Sequence, residues 1–171
     1  MQLIRTDDFE KVKAAYIDVI NHTPGIADHC RWEYGKHPSD EDIRTYIENG
    51  EMYALMDQDL IAGVVAISMS QGEDYETVNW VQNLANDQVA VLHLLAICPS
   101  FQGKNLGQII IKEALNITVE SGKKALRLDT LKTNTPAQHM YEKAGFSMRG
   151  EQAIFLEGRG WYNFLYYEKR M

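Results

Sequence analysis

The sequence is poor in cysteine and proline and contains no long hydrophobic run. Two cysteines and four prolines occur in 171 residues. Cys30 and Cys98 lack the spacing of a disulfide framework, which excludes a disulfide-stapled fold and predicts a reducing, cytoplasmic setting. No apolar run approaches the ~20 residues that span a bilayer, and the first residues lack the basic-then-apolar plan of a secretory signal. We therefore expect no association with a membrane.

The chain also lacks a surplus of basic residues. Lysine and arginine number 17 against 24 aspartates and glutamates, a formal net charge of −7. A broad nucleic-acid surface needs a basic patch, so this balance argues against a nucleic-acid partner. Internal repeats, low-complexity tracts and linkers are absent as well. Residues 1–171 are therefore predicted to form a single domain, at a length that allows a sizeable core.

Hydrophobic periodicity predicts a mixed α/β domain with the element order βααβββαβαββ. The clearest strands are predicted at 52–57, 60–69, 89–98 and 125–129. The run at 89–98 is almost unbroken apolar sequence, which is typical of a strand covered on both faces. The segment 22–38 is ambiguous, and 70–87 reads as a long loop or an inserted element.

Four helices are predicted, three of them from capping signals at their first residues. Asp7 with Glu10 resembles a capping box before the first helix, and Ser39 begins the second. The third helix is predicted over Gly107–Glu120. A capping box over Thr135–Gln138, with proline at the first helical position, begins the fourth.

The run Gln102-Gly103-Lys104-Asn105-Leu106-Gly107 connects the buried strand to the third helix. The first amides of a helix lack intrahelical partners and carry partial positive charge, and glycines let a ligand approach them. Asparagine at 105 tolerates the left-handed conformation, so successive amides can converge on an anion, and Lys104 adds a positive charge. These features predict a diphosphate site. The alternative is an ordinary strand–helix turn, and the six residues alone do not decide between the two.

Other phosphate-binding motifs fit this run less well. A P-loop needs Gly-Lys-Ser/Thr at its end, whereas Gly107 is followed by Gln108 and Ile109. The dinucleotide fingerprint needs further glycines at a different spacing.

A second segment, Asn134 to Phe146, follows one strand and helix later and decides between these alternatives. Together the two segments resemble the GNAT acetyltransferase superfamily over essentially the whole chain. Its cofactor signature is Gln/Arg-x-x-Gly-x-Gly/Ala after a Leu-Ala-Val-x-Pro-like strand, here Leu95-Ala96-Ile97-Cys98-Pro99. The family's later motif is matched at Asn134, Ala137, Tyr141, Lys143, Gly145 and Phe146. One position departs from the pattern, because Asn105 stands where the central glycine of the first motif belongs.

The resemblance implies a GNAT fold, with a central mixed sheet of about seven strands flanked by helices. It implies acetyl-CoA as co-substrate, held in a gap between the fourth and fifth strands. Its pantetheine arm would bind backbone amides around Leu95, Ala96 and Ile97. Its pyrophosphate would bind amides from Gly103 to Gln108. Asn134 would contact the pantetheine, and the remaining matched motif positions, Ala137, Tyr141 and Lys143, are carried over as cofactor-binding.

The resemblance also implies N-acetyl transfer to a primary amine by direct attack in a ternary complex. Tyr141 is the general acid in such enzymes, because a phenol can pass a proton to a departing thiolate. The alternative is a packed tyrosine on the inner face of an amphipathic helix. His93 interrupts the apolar strand and is a candidate base, although it also fits a hydrogen-bonded core residue. Glu33 and Asp129 are the other candidate bases.

The acceptor is the part that the sequence does not identify. By analogy with the family it lies opposite the cofactor, and aromatic and acidic side chains would hold an ammonium. The candidates are Trp32, Glu33, Tyr34, Trp80 and Asp129, with His29 and Trp161 as further variable positions. The histidines and Cys30 match no zinc spacing, so no metal is predicted. The resemblance leaves a homodimer open.

Two other functions remain open from the sequence. One is a CoA-binding regulatory domain without transfer activity, for which the substituted Asn105 is the only support. The other is a nucleotide-binding protein that uses the same turn for ATP or NAD.

Overall fold

The computed structural model describes residues 1–171, and its seven strands form one mixed sheet, as predicted. The strands are β1 (Gln2–Arg5), β2 (Met52–Asp57), β3 (Leu60–Ser68), β4 (Val89–Ile97), β5 (Ala125–Leu131), β6 (Ser147–Leu156) and β7 (Gly160–Arg170). Their order across the sheet is β1-β2-β3-β4-β5-β7-β6. All neighbours are antiparallel except β4 and β5, which are parallel and joined by a helix. The predicted mixed α/β fold is confirmed.

Five helices flank the sheet, one more than the sequence predicts. They are α1 (Phe9–His22), α2 (Ile26–His29), α3 (Asp40–Glu48), α4 (Leu106–Glu120) and α5 (Thr135–Lys143). The additional helix, α2, has four residues and lies in the segment that was ambiguous. A single turn is too short to show a helical period, so the sequence pattern could not reveal it. The long loop at 70–87 contains one 3₁₀ turn, Glu73–Tyr75, and runs into a second, Asn86–Gln88.

Two of the predicted helix caps are shifted by one residue. Asp8, not Asp7, caps α1, and its carboxylate accepts a hydrogen bond from the amide of Lys11. Asn134, not Thr135, caps α5 by accepting from the amide of Ala137. Aspartate and asparagine reach the free amides as well as serine and threonine do, so neighbouring candidates compete for the position. The cap of α3 is at Ser39, as predicted, with a reciprocal bond from Asp42.

The sheet has a hydrophobic core on each face, which explains the unbroken apolar run of β4. On one face α1 and α3 pack through residues such as Val12, Tyr16 and Ile43. On the other face α4 and α5 pack through residues such as Ile110 and Tyr141. The first four residues of β4 are at most 2% exposed, as expected for a strand covered on both sides. No helix is long and apolar enough to cross a membrane.

Candidate active site

The parallel strands β4 and β5 are paired only over their first halves. Their register runs from Val89 opposite Ala125 to Leu92 opposite Leu128 and then stops, although β4 continues to Ile97 and β5 to Leu131. Beyond that point no β4–β5 pairing exists, and a gap opens between the two strands. Residues Leu95 to Ile97, which the family resemblance assigns to the cofactor, lie on the β4 side of this gap.

A bulge in β4 marks the start of the gap. The β3–β4 register shifts between Val64 and Ala66, and Leu94 on the bulged strand has a φ of 53°. A left-handed leucine is strained, and such bulges bend a strand away from its neighbour. The hydroxyl of Tyr16 donates a hydrogen bond of 2.8 Å to the carbonyl oxygen of Leu94 and holds this conformation.

The turn before α4 presents consecutive amides without protein partners. The amides of residues 103 to 107 make no hydrogen bond within the protein, whereas those of Gln102 and Gln108 bond to Pro99 and Asn105. Gly103 and Asn105 both have left-handed backbones, with φ of 77° and 61°. Asn105 therefore takes the conformation expected from its residue type. Alternating left-handed residues at a helix N-terminus direct amides to one side and make an anion-binding concavity.

The side chains of the turn have different roles. Gln102 donates to the hydroxyl of Thr23 at 2.9 Å and to the carbonyl of Ile97 at 3.0 Å, which ties the turn to α1 and β4. Gln108 donates to the carbonyl of Met140 at 2.7 Å and links α4 to α5. Lys104 is exposed, and its ammonium donates to the carbonyl of Ser100 at 3.3 Å and lies over the ring of Phe101.

The two glycines of the turn differ in what surrounds them. A Cβ on Gly107 would collide with the sulfur of Met140 on α5, so the flexible Met140 side chain would have to move. A Cβ on Gly103 would meet nothing within 4 Å. The open approach to the amides is therefore at Gly103.

A cavity of about 400 Å³ lies where β4 and β5 separate. It is lined from β4, β5 and α5, from the segment around α2, from the β6–β7 hairpin and from the loop before β4. Its polar lining residues are His37, Asp74, His93, Asp129, Thr130, Asn134 and Arg159, and further polar atoms come from the largely apolar side chains of Cys30, Trp32, Tyr46, Tyr141 and Tyr162. A cavity of this size, mostly apolar with a few converging polar groups, has the properties of a small-molecule site.

Helix α5 directs one side of its first two turns into this cavity. Of the motif positions predicted to bind the cofactor, Asn134, Ala137 and Tyr141 line the cavity, whereas Lys143 is exposed and does not. Tyr141 is 6% exposed, yet its hydroxyl makes no hydrogen bond. Burial raises the pKa of Tyr141 above its usual value, with smaller contributions from Asp129 and Cys30. The phenol therefore stays protonated at neutral pH.

His93 lines the same cavity from β4. Its ring lies against Tyr46, with ring centroids 5.7 Å apart, and its nitrogens form no hydrogen bond. Burial lowers the pKa of His93 to about 4, against the opposing charges of Asp74 and Glu51. The imidazole is therefore neutral at pH 7 and has a free lone pair.

The acidic groups of the cavity are Asp129 on β5 and Asp74 in the loop before β4. Tyr75 donates a hydrogen bond of 2.5 Å to one oxygen of Asp129. Burial raises the pKa of Asp129, and the bond from Tyr75 only partly offsets this. Burial and the charge of Asp129 likewise raise the pKa of Asp74, which is more exposed.

The residues predicted for the acceptor are not all at the cavity. Trp32 and Asp129 line it. Glu33 is exposed and pairs with Lys36 at 2.9 Å, and the hydroxyl of Tyr34 bonds to Asp40 at the start of α3. Trp80 donates to the carbonyl of Tyr75 at 2.7 Å and carries the guanidinium of Arg127 over its ring.

The sequence pattern missed several cavity residues, including Cys30, His37, Tyr46, Asp74 and Arg159. His37 and Asp74 lie in irregular segments, and Tyr46 lies on α3, outside the two motifs, so no motif position pointed to them. No group of three or more His, Cys, Asp or Glu side chains is arranged to hold a metal ion.

Comparison with known proteins identifies the family from the sequence. Residues 22–146 match the model of the Acetyltransferase (GNAT) family. Streptothricin acetyltransferase of Streptomyces lavendulae is 29% identical over 126 residues, which are 74% of this chain and 56% of that protein. The chain thus spans little more than half the length of this relative.

Solved structures support the fold. A GNAT family acetyltransferase of Streptococcus agalactiae superposes with a TM-score of 0.75 at 20% identity, over 99% of this chain and 95% of that one. The protein yncA of Salmonella typhimurium, determined with its cofactor acetyl-CoA, superposes with a TM-score of 0.68 at 12% identity, over 99% and 93%.

Proposed function

This chain belongs to the acetyltransferase (GNAT) family, and on that premise we propose that it transfers an acetyl group from acetyl-CoA to a primary amine. Bound acetyl-CoA supplies the acetyl group as a thioester: the amine nitrogen bonds to the acetyl carbon, the carbon–sulfur bond breaks, and CoA leaves as the thiol. An acceptor that arrives as an ammonium ion releases one further proton. The residues of the chain bind and orient acetyl-CoA and the amine, and they move these protons.

The diphosphate of acetyl-CoA fits the turn before α4. Five consecutive amides, from Gly103 to Gly107, have no partner in the protein. A buried or ligand-covered amide needs one, and an anion can accept from several of them at once. Lys104 adds a positive charge beside them. The unpaired edge of β4 at Leu95–Ile97 supplies further backbone groups for the pantetheine arm, and Asn134 borders the same gap.

Tyr141 acts as the general acid in this proposal. Its hydroxyl faces the cavity, makes no bond to the protein and remains protonated at neutral pH. A phenol and a thiolate are close enough in proton affinity for transfer to the leaving sulfur. Tyr141 then regains a proton from the nitrogen, which must lose one as the amide forms.

His93 and Asp129 share the preparation of the amine. Neutral His93 accepts a hydrogen bond from the acceptor nitrogen, directly or through water, but its pKa of about 4 makes it a weak base. Asp129 has a raised pKa, and Tyr75 bonds to one of its two carboxylate oxygens. We assign to Asp129 the binding of the incoming ammonium, and to His93 a water relay that carries its proton away.

One observation carries the proposal: the unbonded hydroxyl of buried Tyr141 faces a cavity at the point where β4 and β5 separate. A non-catalytic CoA-binding domain is not favoured, because its only support was the substitution at Asn105. Asn105 adopts a left-handed backbone, with φ of 61°, so the turn keeps its shape.

Thiol release is the direct test. The protein is incubated with acetyl-CoA and a panel of primary amines, and free thiol is measured. We expect amine-dependent release, and acetyl-CoA should raise the unfolding temperature where ATP and NAD do not. Binding of acetyl-CoA without thiol release over a broad panel would contradict acetyl transfer. Protection by ATP or NAD alone would point to a nucleotide-binding protein.

A further inference from the structure

The cavity contains two carboxylates at different depths. Asp129 is half-buried and directly follows Leu128, the last β5 residue that pairs with β4, whereas Asp74 is exposed to solvent. They are connected through Tyr75, which follows Asp74 in the chain and donates its hydroxyl to Asp129.

Neither carboxylate has a cationic partner in the protein. The ion pairs of the molecule all involve other acidic residues. Arg159 is the cation that lines the cavity, and its guanidinium donates to the carbonyl of Arg31 at 3.2 Å and lies over Tyr162. His37 also lines the cavity, and burial lowers its pKa, so it is neutral at pH 7. Asp129 is half-buried and Asp74 is exposed, so both carboxylates are available to a cationic ligand in the cavity.

The aromatic lining of the cavity suits a cation. Trp32 and Tyr46 line the cavity with aromatic rings, whose faces attract ammonium groups. The hydroxyl of Tyr141 faces the same space and is unbonded although its side chain is 6% exposed, which independently marks this cavity as one that receives a polar ligand. After burial, the charge of Asp129 is the next largest cause of the raised pKa of Tyr141, so the reacting groups lie on the side of Asp129.

We propose that the acceptor carries two positive charges, with the reacting ammonium at Asp129 and a second cationic group at Asp74. This inference rests on the proposed function and names its substrate class, a short diamine or a larger molecule that presents such a pair. A carboxylate in the second position would be repelled by Asp74. An uncharged group there would leave Asp74 without a partner.

Three probes of equal chain length test this class. They are 1,5-diaminopentane, 1-aminopentane and 5-aminopentanoate, which place a cation, a methyl group and an anion at the second position. Binding to the protein is measured by calorimetry without acetyl-CoA, and kcat/KM is measured by thiol release with it. We expect 1,5-diaminopentane to bind roughly five- to tenfold more tightly than 1-aminopentane, as for one partly exposed ion pair, and 5-aminopentanoate to bind most weakly.

A single substitution assigns the preference to its residue. Asp74→Asn should reduce the ratio of the two affinities, diamine over monoamine, to near one. Glu73→Gln is the matched control, because Glu73 precedes Asp74, is exposed and does not line the cavity. It changes the net charge by the same amount and should keep the ratio of the unmodified protein.

Amine binding and thiol release together distinguish the dicationic acceptor from acetyl transfer itself. Equal binding of diamine and monoamine overturns the substrate class, whether or not thiol is released. A diamine preference that Asp74→Asn leaves intact overturns it as well. A diamine preference that Asp74→Asn removes supports it, and if no amine then releases thiol, acetyl transfer is wrong while the dicationic site stands.

Discussion

The hydroxyl of Tyr141 takes part in no hydrogen bond within the protein, so its removal should leave the fold intact. We predict that Tyr141→Phe lowers kcat by about 10²–10⁴-fold, the usual contribution of a general acid. The affinity for acetyl-CoA should change little, because the phenyl ring keeps its contacts with Phe146 and Tyr167. Steady-state kinetics and calorimetry measure the two quantities.

A second tyrosine provides the control for this prediction. Tyr167 lies next to Tyr141 but does not line the cavity, and its hydroxyl bonds to Glu142 at 3.2 Å. Tyr167→Phe should therefore leave kcat nearly unchanged. If Tyr141→Phe turned over as fast as Tyr167→Phe, Tyr141 would have no part in the chemistry.

The depressed pKa of His93 has a consequence for stability. Burial lowers this pKa from 6.5 to about 4, so the unfolded chain binds the proton more readily than the folded one between these values. Above pH 6.5 both states are neutral and the effect vanishes. As pH falls from 6.5 to 4, the folded state loses stability, by roughly 3 kcal/mol at the low end.

The variant His93→Phe isolates this contribution, because it keeps an aromatic ring beside Tyr46 and does not titrate. The difference in free energy of unfolding, wild type minus variant, is measured by urea denaturation from pH 7 to pH 4. This difference should become smaller as the pH is lowered from 6.5 to 4. The titration of Asp74 and Asp129 is common to both proteins and largely cancels in the difference. A difference that is independent of pH would mean that His93 keeps an ordinary pKa.

Single residues were predictable where one residue type suits one conformation. Asn105 was expected to be left-handed and is, because asparagine tolerates that region. The role of Gly107 could not be foreseen, since the sulfur that crowds it belongs to Met140, more than thirty residues later. Asp74 gave no signal for the same reason, because only the packing of a loop brings it to the cavity.

At the scale of elements, a change of charge at the N-terminus of α4 should affect the binding of acetyl-CoA and leave that of the acceptor amine unchanged. Lys104 is exposed and belongs to the run of five unpartnered amides. It is not one of the residues with a left-handed backbone, so glutamate can take its place without strain. We predict that Lys104→Glu weakens acetyl-CoA binding roughly five- to thirtyfold, because a carboxylate replaces an ammonium next to the diphosphate. Calorimetry measures the dissociation constant.

The matched control lies on the same helix. Lys112 is exposed further along α4, away from the amides, so Lys112→Glu makes the same change of charge at a distance. Its effect on the affinity should be small and should disappear at higher salt. Equal losses for the two variants would mean that only the net charge matters and that the diphosphate does not bind this turn.

Elements were predictable according to their length and regularity. The long helix α4 and the hairpin of β2 and β3 were predicted to within a residue at nearly every end, because periodicity accumulates over many residues. The bulge at Leu94 was not, because it depends on the hydroxyl of Tyr16, which comes from another element. The gap that the bulge opens was expected only from the family resemblance.

At the scale of the whole molecule, one buried ion pair connects the sheet to the loop that carries Asp74. Arg127 on β5 and Glu168 on β7 face each other in register, fully buried, with a nitrogen–oxygen distance of 2.9 Å. Arg127 also donates to Gln71 at 2.6 Å and to the carbonyl of Gln82 at 3.2 Å. The same guanidinium therefore holds two points of the loop between β3 and β4.

We predict that Arg127→Met destabilises the protein by about 3–5 kcal/mol, because it leaves the carboxylate of Glu168 buried without its main partner. Arg149 lies 3.6 Å from the other oxygen of Glu168 but makes no hydrogen bond to it, so it does not replace Arg127. The double variant Arg127→Met, Glu168→Met should recover part of the loss, since no carboxylate is left buried without a partner, while Arg149, which is partly exposed, loses its ion pair with Glu168.

Lys132→Met is the control, because its pair with Glu151 is largely exposed and worth at most about 1 kcal/mol. Urea denaturation measures all three, and hydrogen exchange should show faster opening of residues 70–88 in Arg127→Met. A loss no larger than that of Lys132→Met would mean that packing of the loop, and not this ion pair, holds Asp74 at the cavity.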